Sequence, residues 1–245
     1  MSPMLRDFEI VQAQAVVFTP GGQIAMPRVL FALLKRWSDV FNGEVVSIPG
    51  NAPPEFPQFP QIVLHSADEH FRLEINGSRA TFTWVQQENK HAFDIGKFID
   101  LAHKVLWSYL EVGPAMAGRL AFILHSVAST KEPAKTLVEH FCQERWFSAP
   151  LNRPENFELH AHKSFQMSDE FKVNSWIRCK TGIRSASEEN QLSPGIEPVI
   201  LVEQDINTLN ETAGTTVFDA ESMERFLQHA PREMQHILGL YFPGG

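Results

Sequence analysis

Apolar residues recur along this chain with two rhythms, a period of two and a period near 3.6, and the switches between them divide it into strands and helices. Residues 8 to 19 read as a strand, broken by Pro20-Gly21-Gly22. A helix follows, with Pro27 in its first turn and Val29, Leu30, Leu33, Leu34, Trp37, Val40 and Phe41 at helical spacing, until Asn42-Gly43 ends it. Five prolines between residues 48 and 60 (Pro49, Pro53, Pro54, Pro57, Pro60) remove backbone donors and predict an extended connection. Three strands are then expected over residues 61 to 66, 69 to 75 and 79 to 86. Asn76-Gly77 is expected to supply the two positive-φ residues of a tight hairpin turn. A second amphipathic helix is predicted over residues 93 to 111 and stops at Gly113-Pro114.

The same order recurs in the second half. Residues 119 to 128 form an apolar strand, and Pro133 opens a helix striped by Ala134, Leu137, Val138 and Phe141. Strands are expected over residues 157 to 165, 171 to 181 and 199 to 208, the last two separated by the polar stretch 184 to 198. A final helix starts after Asp219 as N-cap, and Pro231 is expected to kink or divide it. The predicted fold class is therefore α+β, with pseudo-duplicated β-α-β-β-β-α units over residues 1 to 113 and 114 to 245. Together they form one compact unit, a curved antiparallel sheet with helices on one side, in the manner of TBP-like or helix-grip folds. Residue identities do not match between the halves, so the repeat is one of architecture. A sheet covered on one side only leaves its other face free to bind.

Composition narrows the class. The 245 residues are 43% hydrophobic and 20% charged, an ordinary globular balance that disfavours collagenous and disordered readings. Lys and Arg total 21 against 29 Asp and Glu, for a net charge of −8, which weakens the case for an unstructured polyanion binder. The N-terminal residues lack the pattern of a secretory signal, and no stretch approaches the roughly 18 apolar residues of a spanning helix. The expectation is a cytoplasmic protein without membrane association, with Cys142 and Cys179 as inert thiols and the sequons at Asn76 and Asn210 unused.

Candidate chemistry concentrates in the second half. His160 and His162, at i and i+2 of a strand, share a face and could ligate a metal, but no third and fourth ligand accompanies them at a recognised spacing. Hence no metal is expected, and the alternation with Phe157, Leu159 and Ala161 also fits a plain polar sheet face. The next strand carries Lys172, Asn174, Trp176, Arg178 and Lys180 at period two. Residues 172 to 184 hold four cations and no acid, a chemistry suited to phosphate and a stacked base, although cross-strand pairing on a solvated face explains the same pattern. Templates for phosphate loops, dinucleotide folds, zinc proteases and serine elbows are missing, so neither a catalytic residue nor a cofactor is expected. Asp205, near the end of an apolar strand, has no nameable partner for acid or base work and is read as structural.

Several blocks resemble a sporadically distributed family of uncharacterised prokaryotic proteins. The opening strand and long helix are similar to that family's start, as are Ile62-Val63-Leu64-His65-Ser66 with Phe71-Arg72-Leu73-Glu74-Ile75 and the return strand bearing Trp84. Residues 199 to 206, followed by a helix closing in Leu238-Gly239-Leu240-Tyr241-Phe242, resemble its end; the segment 124 to 127 departs from it. The resemblance implies an intracellular, two-half α+β protein and brings no activity or catalytic residues. The functional expectation is a non-enzymatic binding or interaction protein that engages an unknown protein or small ligand through an exposed sheet face. Nucleic-acid or nucleotide binding through residues 172 to 184, and a small-molecule carrier or enzyme with an aromatic-lined cavity, are the alternatives. A homodimer through an exposed edge strand is a further expectation.

Overall fold

A computed structural model of the chain describes residues 3–20, 25–48, 59–87, 93–113, 116–146, 153–186, 195–209 and 217–243. It is an α+β protein with nine strands in one antiparallel sheet and four α-helices among the described residues. The strands are β1 (Glu9–Phe18), β2 (Val45–Ser47), β3 (Ile62–His65), β4 (Phe71–Ile75), β5 (Arg79–Val85), β6 (Arg119–Ser129), β7 (Glu158–Gln166), β8 (Lys172–Ala186) and β9 (Gly195–Thr208). The helices are α1 (Met26–Trp37), α2 (Ile95–Val112), α3 (Pro133–Phe141) and α4 (Ala220–Tyr241). Spatial order across the sheet is β2-β3-β4-β5-β1-β6-β9-β8-β7. The two halves of the chain meet where β1 pairs with β6, so they share a single sheet.

Period-two patterning sorts each strand onto two faces. Ala13, Ala15 and Val17 of β1, Phe82 and Trp84 of β5, Leu120 and Phe122 of β6, and Ile206 of β9 point into one core with the buried sides of α1, α2 and α4. A second cluster joins Ile177, Cys179, Ile200 and Val202 to Leu137 of α3 and to Leu238 and Phe242. All four helices therefore cover the same face. The fully buried alanines of β1 leave room for α2, whose own Ala102 is buried, to cross β1 and β5 closely. Within this layer Phe82 stacks on Phe71 and Phe98 at 5.6 Å each, and Phe41 meets it edge-on at 6.2 Å. Cys142 and Cys179 are both free; Cys142 is half-buried, and burial pushes the Cys179 thiol up to about 12.

Four expectations change. The Asn76-Gly77 hairpin forms, but its turn is shifted by one residue. Asn76 N–H donates to the Arg79 carbonyl at 2.9 Å, so Gly77 and Ser78 form the loop, and Glu69 is the positive-φ non-glycine among the described residues. The Asn76 side chain causes the shift by accepting the Ser78 N–H at 3.0 Å, an Asx turn that competes with a positive-φ geometry. The polar stretch after residue 181 does not interrupt pairing, since β8 and β9 continue as a ladder out to Ala186 opposite Gly195. Arg184 bridges Glu197 at 2.9 Å and Glu9 at 3.0 Å, so charged residues are accommodated by ion pairs on the ladder. β2 is an added edge strand that the apolar pattern missed because its three residues lack a buried face. Finally, α4 is not divided at Pro231, which is buried in the helix. The apolar side from Met223 to Leu238, together with the 2.7 Å bond from Gln204 Nε2 to the Met234 carbonyl, holds the turns on either side of it against the sheet. Asp219 is the N-cap as expected, accepting the Ser222 N–H at 2.8 Å. The proline segment 49–58 and the sequon at Asn210 lie outside the described residues.

Candidate functional site

The face opposite the helices carries polar side chains in rows that run from strand to strand. Register places His162 opposite Trp176, Trp176 opposite Asp205 and Asp205 opposite Ile123. A neighbouring row brings His160, Arg178, Glu203 and His125 together. A third sets Ser164, Asn174 and Asn207 side by side. His160, His162, Lys172, Asn174, Trp176, Arg178 and Lys180 thus all lie on this open face, where β7 is the edge strand.

Their chemistry is less basic than the linear pattern suggests. The Arg178 guanidinium is ion-paired with Glu203 and lies 5.3 Å over the Trp176 ring, while His162 stacks on the same indole at 4.2 Å. Asn174 Oδ1 accepts from Ser164 Oγ at 2.7 Å and lies 3.3 Å from His162 Nε2. His160 Nε2 is 3.4 Å from Glu158. Acids from β7 and β9 therefore interleave with the cations of β8, an arrangement invisible until three strands are assembled. Among the described residues no group of three or more His, Cys, Asp or Glu is placed to hold a metal ion.

Toward the middle of the sheet the open face sinks into a recess of about 330 Å³, lined by side chains from β4, β5, β1, β6 and β9. Short side chains at Val16, Thr81 and Ala121 lie among the longer Phe18, Glu74, Arg79 and Arg119 in this lining. Val16, Ala121, Asn207 and Thr83 are exposed by no more than 4% although none of the described helices covers them. Phe18 lies between Arg79 and Arg119, being the register partner of both. The Arg119 guanidinium sits 4.8 Å over the Phe18 ring and donates to Asn207 Oδ1 at 2.7 Å and to the Thr208 carbonyl at 3.1 Å. Asn207 Nδ2 in turn donates to Asp205 Oδ1 at 2.9 Å. Burial holds Arg119 below its ordinary value, opposed by the Asp205 charge, and raises the Asp205 carboxyl, opposed by Asn207, Arg119 and Arg178. Sequence reasoning singled out Asp205 but missed Arg79, Arg119, Gln14 and Asn207. Their signal lay in the cations at the starts of two strands, and it becomes legible only once Phe18 is known to pair with both strands.

Beside the recess, burial pushes His125 down, reinforced by Lys180 and Arg178 and opposed by Glu203, whose carboxylate is 4.0 Å away. An unfolded histidine takes its proton near pH 6.5, so below that value the unfolded state binds more protons than the folded one. His125 stabilises the fold above about pH 6.5, and that contribution is expected to disappear as the pH falls through the window beneath it. Chemical denaturation from about pH 7.5 to 5.5 should show a fall in stability that is shallower in His125→Asn. Identical slopes for the two proteins would refute the assignment. No protein-family model matches this chain, and no curated protein is similar to it at a significant level.

Proposed function

We propose that this is a non-enzymatic binding or interaction protein whose open sheet face engages a ligand or partner. The observation that carries the reading is that all four helices lie on one face, while the other presents aligned His160, His162, Trp176 and Arg178 together with a buried, concave centre. The strand orders β3-β4-β5-β1 and β6-β9-β8-β7 run outward from the β1/β6 pair in corresponding sequence. We take this as support for two repeated units of the TBP-like or helix-grip kind; the proposed kinship with the sporadically distributed prokaryotic family rests on the apolar patterning of the sequence. Two free cysteines and the lack of a described helix long and apolar enough to cross a membrane accord with a cytoplasmic location. A homodimer through the β7 edge belongs to the same proposal.

A photo-crosslinking side chain at position 162 or 176, compared with one at the exposed helix residue Phe31, tests the open-face reading in cells. Adducts are expected from the sheet positions and should fall several-fold in Arg178→Ala. Equal adduct yields from position 31 would remove the basis for the proposal. The nucleic-acid reading is weaker, because Glu203 holds the Arg178 charge and so takes a cation away from any phosphate backbone on this stripe. It requires salt-sensitive oligonucleotide binding that is lost in both Trp176→Ala and Arg178→Ala.

A further inference from the structure

We infer that the central recess of the open face, between Arg79 and Arg119, is a binding site for a small organic oxyanion, a carboxylate or phosphate carried on a compact apolar body. The inference rests on the open-face reading and moves its focus from β7 and β8 to the junction of the two halves.

Hydrogen-bond bookkeeping carries the argument. A guanidinium has five N–H donors. Arg119 commits two, to Asn207 and Thr208, which fixes its plane over Phe18 and leaves the remaining donors for a ligand. Arg79, half-buried and lining the same recess, makes no side-chain hydrogen bond or ion pair among the described residues. Of the acceptors in the lining, Asp205 Oδ1 takes the Asn207 amide, the Asn207 oxygen takes Arg119, and Glu74 is ion-paired with Arg72 at 3.5 Å. Two guanidinium groups thus face two carboxylates in the recess, and Arg79 is the charged side chain of the lining with no partner among the described residues, a fork that can take a planar or tetrahedral oxyanion by paired hydrogen bonds. Val16, Ala121 and Ile123 form an apolar floor for the rest of such a molecule. A volume of about 330 Å³ falls at the lower end of small-ligand sites. A bare inorganic ion would leave that floor uncovered.

Calorimetric titration and thermal unfolding of the full chain test the inference, with phenyl phosphate, citrate and benzoate as probes at ionic strength matched with sodium chloride. At least one probe is expected to bind saturably and raise the unfolding midpoint beyond the chloride control. The phosphate and carboxylate arms tell the two anion chemistries apart. Arg79→Gln should weaken that binding at least tenfold without disturbing the fold, since the side chain has no described partner to lose. Arg79→Lys keeps the charge without the fork and should fall between the two. Phe31→Ala, on the helix side, should bind like the wild type. Absence of saturable binding for all three probes, or equal affinity in Arg79→Gln, overturns the inference. Loss of binding in Trp176→Ala with retention in Arg79→Gln also overturns it, while leaving the wider open-face reading intact. Crosslinking confined to the helix face would remove that wider reading instead.

Discussion

Replacing Phe82 with alanine is expected to lower the stability of the protein by about 3–5 kcal/mol, the usual cost of emptying a buried phenylalanine site. Phe82 is fully buried on β5, and its ring is stacked between Phe71 and Phe98 with Phe41 at its edge. These neighbours come from a strand of the sheet, the helix that covers it and the segment after α1, so collapse around the void would have to move three segments at once. Domains of this size are held by roughly 5–15 kcal/mol, so the variant forfeits a large share of the total. Urea unfolding followed by far-UV circular dichroism measures the loss, with Phe31→Ala as the comparison. Phe31 is 71% exposed on α1, and its truncation should stay within about 0.5 kcal/mol. A loss at Phe82 no greater than at Phe31 would contradict the packing described.

Phe242→Ala is the second large effect, again about 3–5 kcal/mol, and it acts on the other cluster. The Phe242 ring stacks on His140 at 5.1 Å and contacts Phe8 at 4.6 Å and Phe141 at 5.5 Å. Its carbonyl accepts the Leu5 N–H at 3.1 Å, and His140 Nε2 lies 2.7 Å from the Tyr241 carbonyl. One residue therefore ties the start of the chain, α3 and the end of α4 to the sheet. Because β8 and β9 run beneath both clusters, the variant should still unfold in one cooperative step. Phe82 and Phe242 belong to different clusters and do not touch, so the double variant should lose the sum of the single losses to within about 0.5 kcal/mol. A strongly sub-additive result would mean that the clusters are not independent contributors.

How much of this was legible beforehand follows from the range over which each feature is encoded. The stripe Phe98, Ala102, Val105, Leu106 and Tyr109 and the N-cap at Asp219 are local, and the structure places α2 and α4 within two residues of expectation at each end. Turn geometry was legible only in part. Asn76 marks the hairpin correctly, but its side chain competes for the Ser78 amide and moves the loop by one residue. The extension of β8 and β9 past residue 181 was hidden because Arg184 reads as a loop residue until Glu197 and Glu9 stand beside it.

The candidate site divides in the same way. Alternation by itself determined that His160, His162, Lys172, Asn174, Trp176, Arg178 and Lys180 share faces within their own strands, because successive side chains of a strand point to opposite sides. It also determined which face of each strand is apolar, and hence that helices must cover it. Only the tertiary structure decided what stands beside those residues, since cross-strand neighbours depend on sheet order and register, which bring together positions far apart in the chain. Register turned the basic stripe into a mixed one by setting Glu203 against Arg178. Strand order, a property of the whole nine-stranded sheet and of no single strand, set β5 and β6 on either side of β1, so that register placed Arg79 and Arg119 on either side of Phe18.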